Sequence, residues 1–170
     1  LSRKSLERCG DYGIWRYLSI LPVSGAKVPQ PRIGWTPLYK AVKLGEGLGL
    51  SDIYIKDDGR NPSASFKDRA GALALARALE RKEKVIAAAS TGNAASSLAC
   101  LAAGLPVRTV IFVPETAPAA KIAQLLVFGA TVVAVRGTYD QAFDLCVEAS
   151  REYGWYNRNT GYNPYTREGK

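Results

Sequence analysis

Two short stretches hold the residues that could do chemistry. The first is Asn61-Pro62-Ser63-Ala64-Ser65-Phe66-Lys67-Asp68-Arg69. Ser65 followed by Asp68 makes a capping-box pattern, so a helix is expected to open at Ser65 with Lys67 in its first turn. Unpaired backbone N–H groups and the helix dipole make that turn electropositive, a place that disfavours a cation. A lysine held there uncharged is a nucleophile toward carbonyl compounds, and Arg69 nearby works in the same direction. The alternative is a lysine that reaches solvent with Asp68 neutralising it, and the local pattern suits both. The second stretch is Ala89-Ser90-Thr91-Gly92-Asn93-Ala94-Ala95-Ser96-Ser97. A strand ends, small residues turn, and a helix opens. Successive backbone N–H groups with the Ser90 and Thr91 hydroxyls suit a carboxylate or phosphate. The Asn93 amide can donate to a phenolate oxygen. The alternative here is a plain Ser/Thr cap that serves only its helix.

The elements around these stretches must position them. Ile14–Leu18 reads as a short helical turn, followed by an arm from Pro22 to Pro37 punctuated by proline and glycine. Leu38–Leu50 reads as a short helix, with Gly45, Gly47 and Gly49 as a glycine-rich helix end rather than a phosphate loop. Ile53–Lys56 alternates and is β-branched, as a strand does. The turn Asp57–Pro62 ends it, and an alanine- and leucine-rich helix follows to about Lys82. Strands are then expected at Val85–Ala89, Val107–Val113 and Thr131–Val135, with a fourth starting at Trp155-Tyr156. Helices are expected at Ala94–Ala103, from Pro118 to Phe128, and from a Thr138/Gln141 capping box to about Tyr153. This βα alternation with short connections predicts an α/β fold, a parallel sheet with helices on both faces. Ligands in such sheets sit at the carboxyl ends of strands, and Ser90–Asn93 is one such end.

Composition narrows the chemistry. The chain of 170 residues is 47% hydrophobic, as expected of a globular protein. No apolar run approaches the roughly 18 to 20 residues that cross a bilayer. Nothing at the N-terminus reads as a signal peptide, so a cytoplasmic protein with no membrane partner is expected. Histidine is absent, which removes Ser-His-Asp and Cys-His nucleophilic sites and most zinc sites. Cys9, Cys100 and Cys146 form no CxxC pair and read as free thiols, the latter two structural. The net charge is +8, but the 23 Lys and Arg are scattered without interleaved aromatics. An anionic small molecule suits that charge better than nucleic acid.

Ser65-Phe66-Lys67-Asp68-Arg69 followed by Ser90-Thr91-Gly92-Asn93 resembles the threonine synthases, of the tryptophan-synthase-β-like fold type of pyridoxal-phosphate enzymes. Further stretches agree in order: Trp35-Thr36-Pro37-Leu38, Tyr54-Ile55-Lys56-Asp57-Asp58, Phe112-Val113-Pro114-Glu115, Lys121-Ile122-Ala123-Gln124, Phe128-Gly129-Ala130, and Asn163-Pro164-Tyr165 with Glu168-Gly169. The resemblance runs over nearly the whole chain and corresponds to the N-terminal half of the family. It implies that Lys67 carries pyridoxal 5'-phosphate and moves the substrate α-proton. It also implies that Asn93 binds the cofactor's phenolic oxygen, that Phe66 lies beside its ring, and that Ser90 and Thr91 hold the substrate carboxylate. The implied reaction is the lyase step of threonine biosynthesis: O-phosphohomoserine and water give threonine and phosphate. Ala94 stands where the family often has Thr. Thr166 stands where it commonly has an Arg for the substrate phosphate, which leaves Asn159, Thr160 and Arg167 as anion contacts.

The family's glycine-rich loop for the cofactor phosphate lies downstream of residue 170. The chain alone is therefore expected to be inactive and to hold cofactor weakly. The expected organisation is an arm at 1–35, the start of a larger domain at 36–83, a small βα domain at 84–157, and a return segment at 158–170. The expected partner is a small-molecule amino-acid substrate. A homodimer is a further possibility, if the arm and the C-terminal edge expose apolar surface. Competing readings are a related enzyme of cysteate synthase or threonine dehydratase type, or a non-catalytic α/β module that binds an anion or a partner.

Overall fold

A computed structural model describes residues 2–25 and 31–170. Part of the arm expected between Pro22 and Pro37 therefore lies outside the described residues. The chain opens with α1 (Arg3–Glu7) and a 3-10 helix at Ile14–Ile20, where a helical turn is expected. The stretch expected to be one helix from Leu38 is divided. Leu38–Lys40 is a strand, β1, and α2 spans Val42–Leu48. The physical reason is tertiary: β1 pairs antiparallel with β2 (Tyr54–Lys56), an edge no local pattern announces. The glycines do end α2, with Gly49 as its left-handed cap at φ 66°.

After α3 (Lys67–Glu80) the pattern is regular: β3 (Val85–Ala89), α4 (Asn93–Ala102), β4 (Arg108–Pro114), α5 (Ala119–Val127), β5 (Thr131–Val135), α6 (Tyr139–Glu152), β6 (Tyr156–Asn157) and α7 (Tyr165–Glu168). The capping box of Thr138 and Gln141 forms at the start of α6. The four strands make one parallel sheet in the order β5-β4-β3-β6. The chain builds outward from β3 to β5, then returns across the sheet to place β6 on the other side of β3. The order reverses between β3 and β6, and that is where a parallel sheet opens a crevice at its carboxyl edge.

Burial follows the strand period of two. Ile86, Ala88, Ile111 and Val113 pack with residues of α3, α4 and α5, such as Leu73, Leu98 and Leu125. Val85, Ala87, Ala89, Val110 and Phe112 pack instead with Ala142 and Cys146 of α6. Both faces are thus covered, and β3 is apolar throughout, as a strand buried on both faces must be. Cys146 is free and buried, and burial pushes its thiol up to about 11. Large apolar side chains stay exposed on β1, β2 and α2, among them Leu38, Leu48 and Tyr54. Among the described residues no helix is long and apolar enough to cross a membrane.

Candidate active site

The loop before α3 is held by buried polar contacts. Gly34 N–H donates to Asn61 Oδ1 at 2.9 Å, and Asn61 Nδ2 donates to the Asp58 carbonyl at 2.9 Å. The turn then needs Ala64 at φ 55°, a left-handed conformation that costs about 1–2 kcal/mol in a residue with a Cβ. The expected capping box of Ser65 and Asp68 does not form. The Ser65 hydroxyl accepts from Lys67 N–H at 3.1 Å. Asp68 reaches back instead and accepts from Ser63 N–H at 2.7 Å and from the Ser63 hydroxyl. The bend at Ala64 puts Ser63 over the first turn of α3, and the fully buried carboxyl group takes the nearer donors.

This arrangement bears on Lys67. Asp68, which would neutralise it on the surface-lysine alternative, is committed to Ser63. Lys67 is half-buried and has no ion pair or hydrogen bond from its amine among the described residues. Its Nζ lies 5.6 Å from the centroid of the Phe66 ring. The outcome is an unpaired amine at a helix start beside an aromatic face.

Arg69 ties the start of α3 to the turn after β2. Its Nη2 and Nε donate to the two Asp58 carboxylate oxygens at 2.9 and 3.1 Å. The Thr36 hydroxyl also donates to Asp58, at 2.7 Å. The Arg69 hydrogen bond, against the opposing effect of burial and helped by Thr36 and the charge of Lys56, holds the Asp58 carboxyl below its usual range. A lowered carboxylate contributes stability above its unfolded value near 4, and that stability is lost as pH falls through the folded value. R69A is therefore expected to be about 1–3 kcal/mol less stable than the wild type at pH 7. The difference is expected to shrink as pH falls below about 4. Thermal melts at both pH values check this, and an equal gap at both refutes it.

At the carboxyl end of β3, neither Ser90 nor Thr91 caps the helix that follows. Gly92 is the N-cap of α4 and makes no side-chain cap bond. The Ser90 hydroxyl accepts instead from Gly92 N–H at 3.2 Å. The plain-cap alternative is thus not what the turn does, and its side chains leave the first turn of α4 uncapped. Asn93 is exposed, while Ser90 and Thr91 are half-buried. The two stretches approach through their helices. A Cβ built on Gly71 of α3 would lie 2.7 Å from Ser97 Oγ of α4. Lys67 and Asn93 each stand one turn before that contact, roughly 6 Å along their helices.

Next to this turn the chain after β6 forms a strap. Asn159 Oδ1 accepts from Ala89 N–H at 2.9 Å, and its Nδ2 reaches Cys146 Sγ at 3.5 Å. Both ends of this buried amide are committed, so it fastens the end of β3. Thr160 is half-buried, and its carbonyl accepts from Arg167 Nε at 3.3 Å. Arg167 is otherwise exposed. Thr166 is fully buried, with its hydroxyl on the Asn163 carbonyl at 2.7 Å. Sequence reasoning misses two residues at this edge. Tyr139 donates from its hydroxyl to the Ala89 carbonyl at 3.1 Å. Arg158 is buried next to Asn159. A charge flanked by residues that continue a strand is the available signal for Arg158. Tyr139 has none beyond its place after the capping Thr138.

A free amine at a helix start, an aromatic ring beside it and an uncapped helix start suit an aldehyde cofactor that carries a phenolic oxygen. The family model described as pyridoxal-phosphate dependent enzyme matches residues 29–170. The chain belongs to that family. Its cofactor is pyridoxal 5'-phosphate, and the residues present fit it. The threonine synthase of Methanocaldococcus jannaschii is 38% identical over 162 residues, which is 94% of this chain and 40% of that protein. That of Methanosarcina acetivorans is 37% identical over 158 residues, 92% of this chain and 38% of that protein. The chain thus spans about 40% of the length of these relatives. Among solved structures, Escherichia coli diaminopropionate ammonia lyase in apo form matches with a TM-score of 0.72 at 22% identity, over 86% of this chain and 46% of that one. Threonine deaminase isoform 2 of Solanum lycopersicum matches with a TM-score of 0.71 at 30% identity, over 79% of this chain and 37% of that one. The fold is that of these pyridoxal-phosphate enzymes, of which the chain covers less than half.

Proposed function

We propose that the chain is the cofactor-lysine part of a threonine synthase, a lyase that converts O-phosphohomoserine and water to threonine and phosphate. The observation that carries the reading is the unpaired, half-buried Lys67 in a chain that is 38% identical to a threonine synthase over nearly all of its length. When bound, the cofactor supplies an electron sink for charge that develops on the substrate carbon. Lys67 would hold the cofactor and then take and return the proton at the substrate Cα. Asn93 would donate to the phenolic oxygen, with Phe66 beside the ring. The Ser90 and Thr91 hydroxyls and the first N–H groups of α4 would hold the substrate carboxylate. Thr160 and Arg167 are further anion contacts, and Asn159 enters through the turn it fastens.

The 170 residues are taken to be a part that is inactive alone, divided at 1–35, 36–83, 84–157 and 158–170 as the sequence suggests. The parent enzyme would be cytoplasmic. A second copy of the chain is a possible partner for the exposed apolar side chains of β1, β2 and α2. A related enzyme remains the second reading, since a threonine deaminase shares the fold at 30% identity. Assays of the longest natural form of the protein separate these. Threonine and phosphate released from O-phosphohomoserine support the proposal. Turnover of threonine alone, or of phosphoserine with sulfite, in place of that reaction sinks it.

A further inference from the structure

Arg158 stands next to the end of β6, and its backbone N–H donates to the Ala87 carbonyl of β3 at 2.9 Å. Ile86 pairs with Tyr156 and Ala87 with Asn157, so Arg158 continues the register opposite Ala88. Side chains of Asn157 and Asn159 reach Cys146 on the α6 face. Alternation therefore puts the Arg158 side chain on the other face, the one that Ala88 shares with α3 and α4. That position lies one strand away from β3, two residues before Ser90. The uncapped start of α4 follows directly on that turn.

Arg158 is only 3% exposed. Its Nε is buried without a hydrogen-bond partner, and no carboxylate pairs with it among the described residues. Arg69 and Arg77, both partly buried, have carboxylate partners in Asp58 and Glu80. The partly buried Arg16 has the Leu6 carbonyl and, like Arg77, a buried Nε without a partner; Arg158 is the more deeply buried. Burial pushes the Arg158 guanidinium down to about 10, and only the Tyr139 phenol acts against that. Among the described residues the Ser97 and Tyr156 hydroxyls, on the same side of the sheet, are also buried without a partner. A buried, unmatched guanidinium is costly to fold. Its planar fork of donors matches the oxygens of a carboxylate or a phosphate.

We propose that Arg158 is an anion-binding residue of this site and takes an oxyanion of the small-molecule substrate at the crevice between β3 and β6. The inference rests on the proposed function for the nature of that substrate, and on the geometry above for the residue. Arg158 supplies the charge, and the turn after β3 supplies neutral donors.

The test uses the longest natural form of the protein, loaded with cofactor so that the cofactor's own phosphate site is filled, or as purified if none binds. Melting temperatures are measured in inorganic phosphate, in acetate and in chloride at constant ionic strength. The wild type is expected to gain stability from phosphate or acetate over chloride. R158M is expected to lose that gain while melting in chloride at or above the wild-type temperature, because an apolar side chain replaces an unmatched charge. R158K keeps the charge without the fork and is expected to need at least about tenfold more anion for the same gain. A response to phosphate alone assigns the substrate's phosphate group, and a response to acetate alone its carboxylate. Equal gains in wild type and R158M, no gain in the wild type, or an R158M that fails to fold in chloride each overturn the proposal, as does an unshifted midpoint in R158K. Loss of the visible cofactor band with the anion response intact would sink the enzyme reading and leave the Arg158 site standing.

Discussion

K67A is expected to abolish covalent retention of pyridoxal phosphate and to leave the melting temperature nearly unchanged. In the longest natural form, the wild type should develop a visible band with the cofactor, and borohydride should fix the label to the peptide that contains Lys67. K67A should show neither. Turnover should fall by roughly 10²–10⁴-fold or more, the range that a positioned proton-transfer group supplies. Stability should change by no more than about 0.5 kcal/mol, because the Lys67 amine has no hydrogen bond or ion pair to lose among the described residues. A label on another lysine, or a K67A protein that still retains cofactor after borohydride, ends the assignment. A large drop in melting temperature would instead return Lys67 to a structural role.

D68A is expected to act in the opposite way, through the fold. The Asp68 carboxyl group is fully buried and holds Ser63 by its N–H and its hydroxyl. Its removal leaves a cavity and strips a backbone N–H of its partner, at about 1–3 kcal/mol for each unmet group. A total near 3 kcal/mol is a large part of the roughly 5–15 kcal/mol that holds a domain together. The melting temperature should fall by about 6–12 °C for a protein of this size. The loop from Ser63 to Phe66 carries the strained Ala64 and delivers Lys67 to its place, so cofactor retention should fall as well, with the lysine still present. The two variants thus separate attachment from positioning. D68A with wild-type stability would mean that this loop is held by something other than its buried carboxyl group.

Much of the fold is legible in the amino-acid sequence. The βα alternation from Val85 onward is written in apolar runs of strand length, in Gly104 and Gly129 after helices, and in the capping box of Thr138 and Gln141. These signals are local, and β3 and β5 fall at the expected residues. The pairing of Leu38–Lys40 with Tyr54–Lys56 is not legible, because a strand edge depends on a partner distant in sequence. The start of α3 departs from its local pattern for a related reason. Ser65 and Asp68 have capping spacing, but the left-handed Ala64 brings Ser63 within reach of Asp68 first.

The site divides along the same line. The sequence by itself determined the chemical types: a lysine at a helix start, a small-residue turn with hydroxyls and an amide, no histidine, and the family to which these belong. It left open whether Lys67 was paired with Asp68 and whether Ser90 or Thr91 merely capped a helix, since spacing along a chain does not say where a side chain turns. Only the tertiary structure decided that Asp68 belongs to Ser63 and that Ser90 bonds Gly92. Packing also committed Asn159 to Ala89 and left Arg158 buried without a counter-charge among the described residues. Partners for buried polar groups are assigned by packing across the sheet, among residues as far apart as Ala89 and Asn159, and no local pattern records that competition.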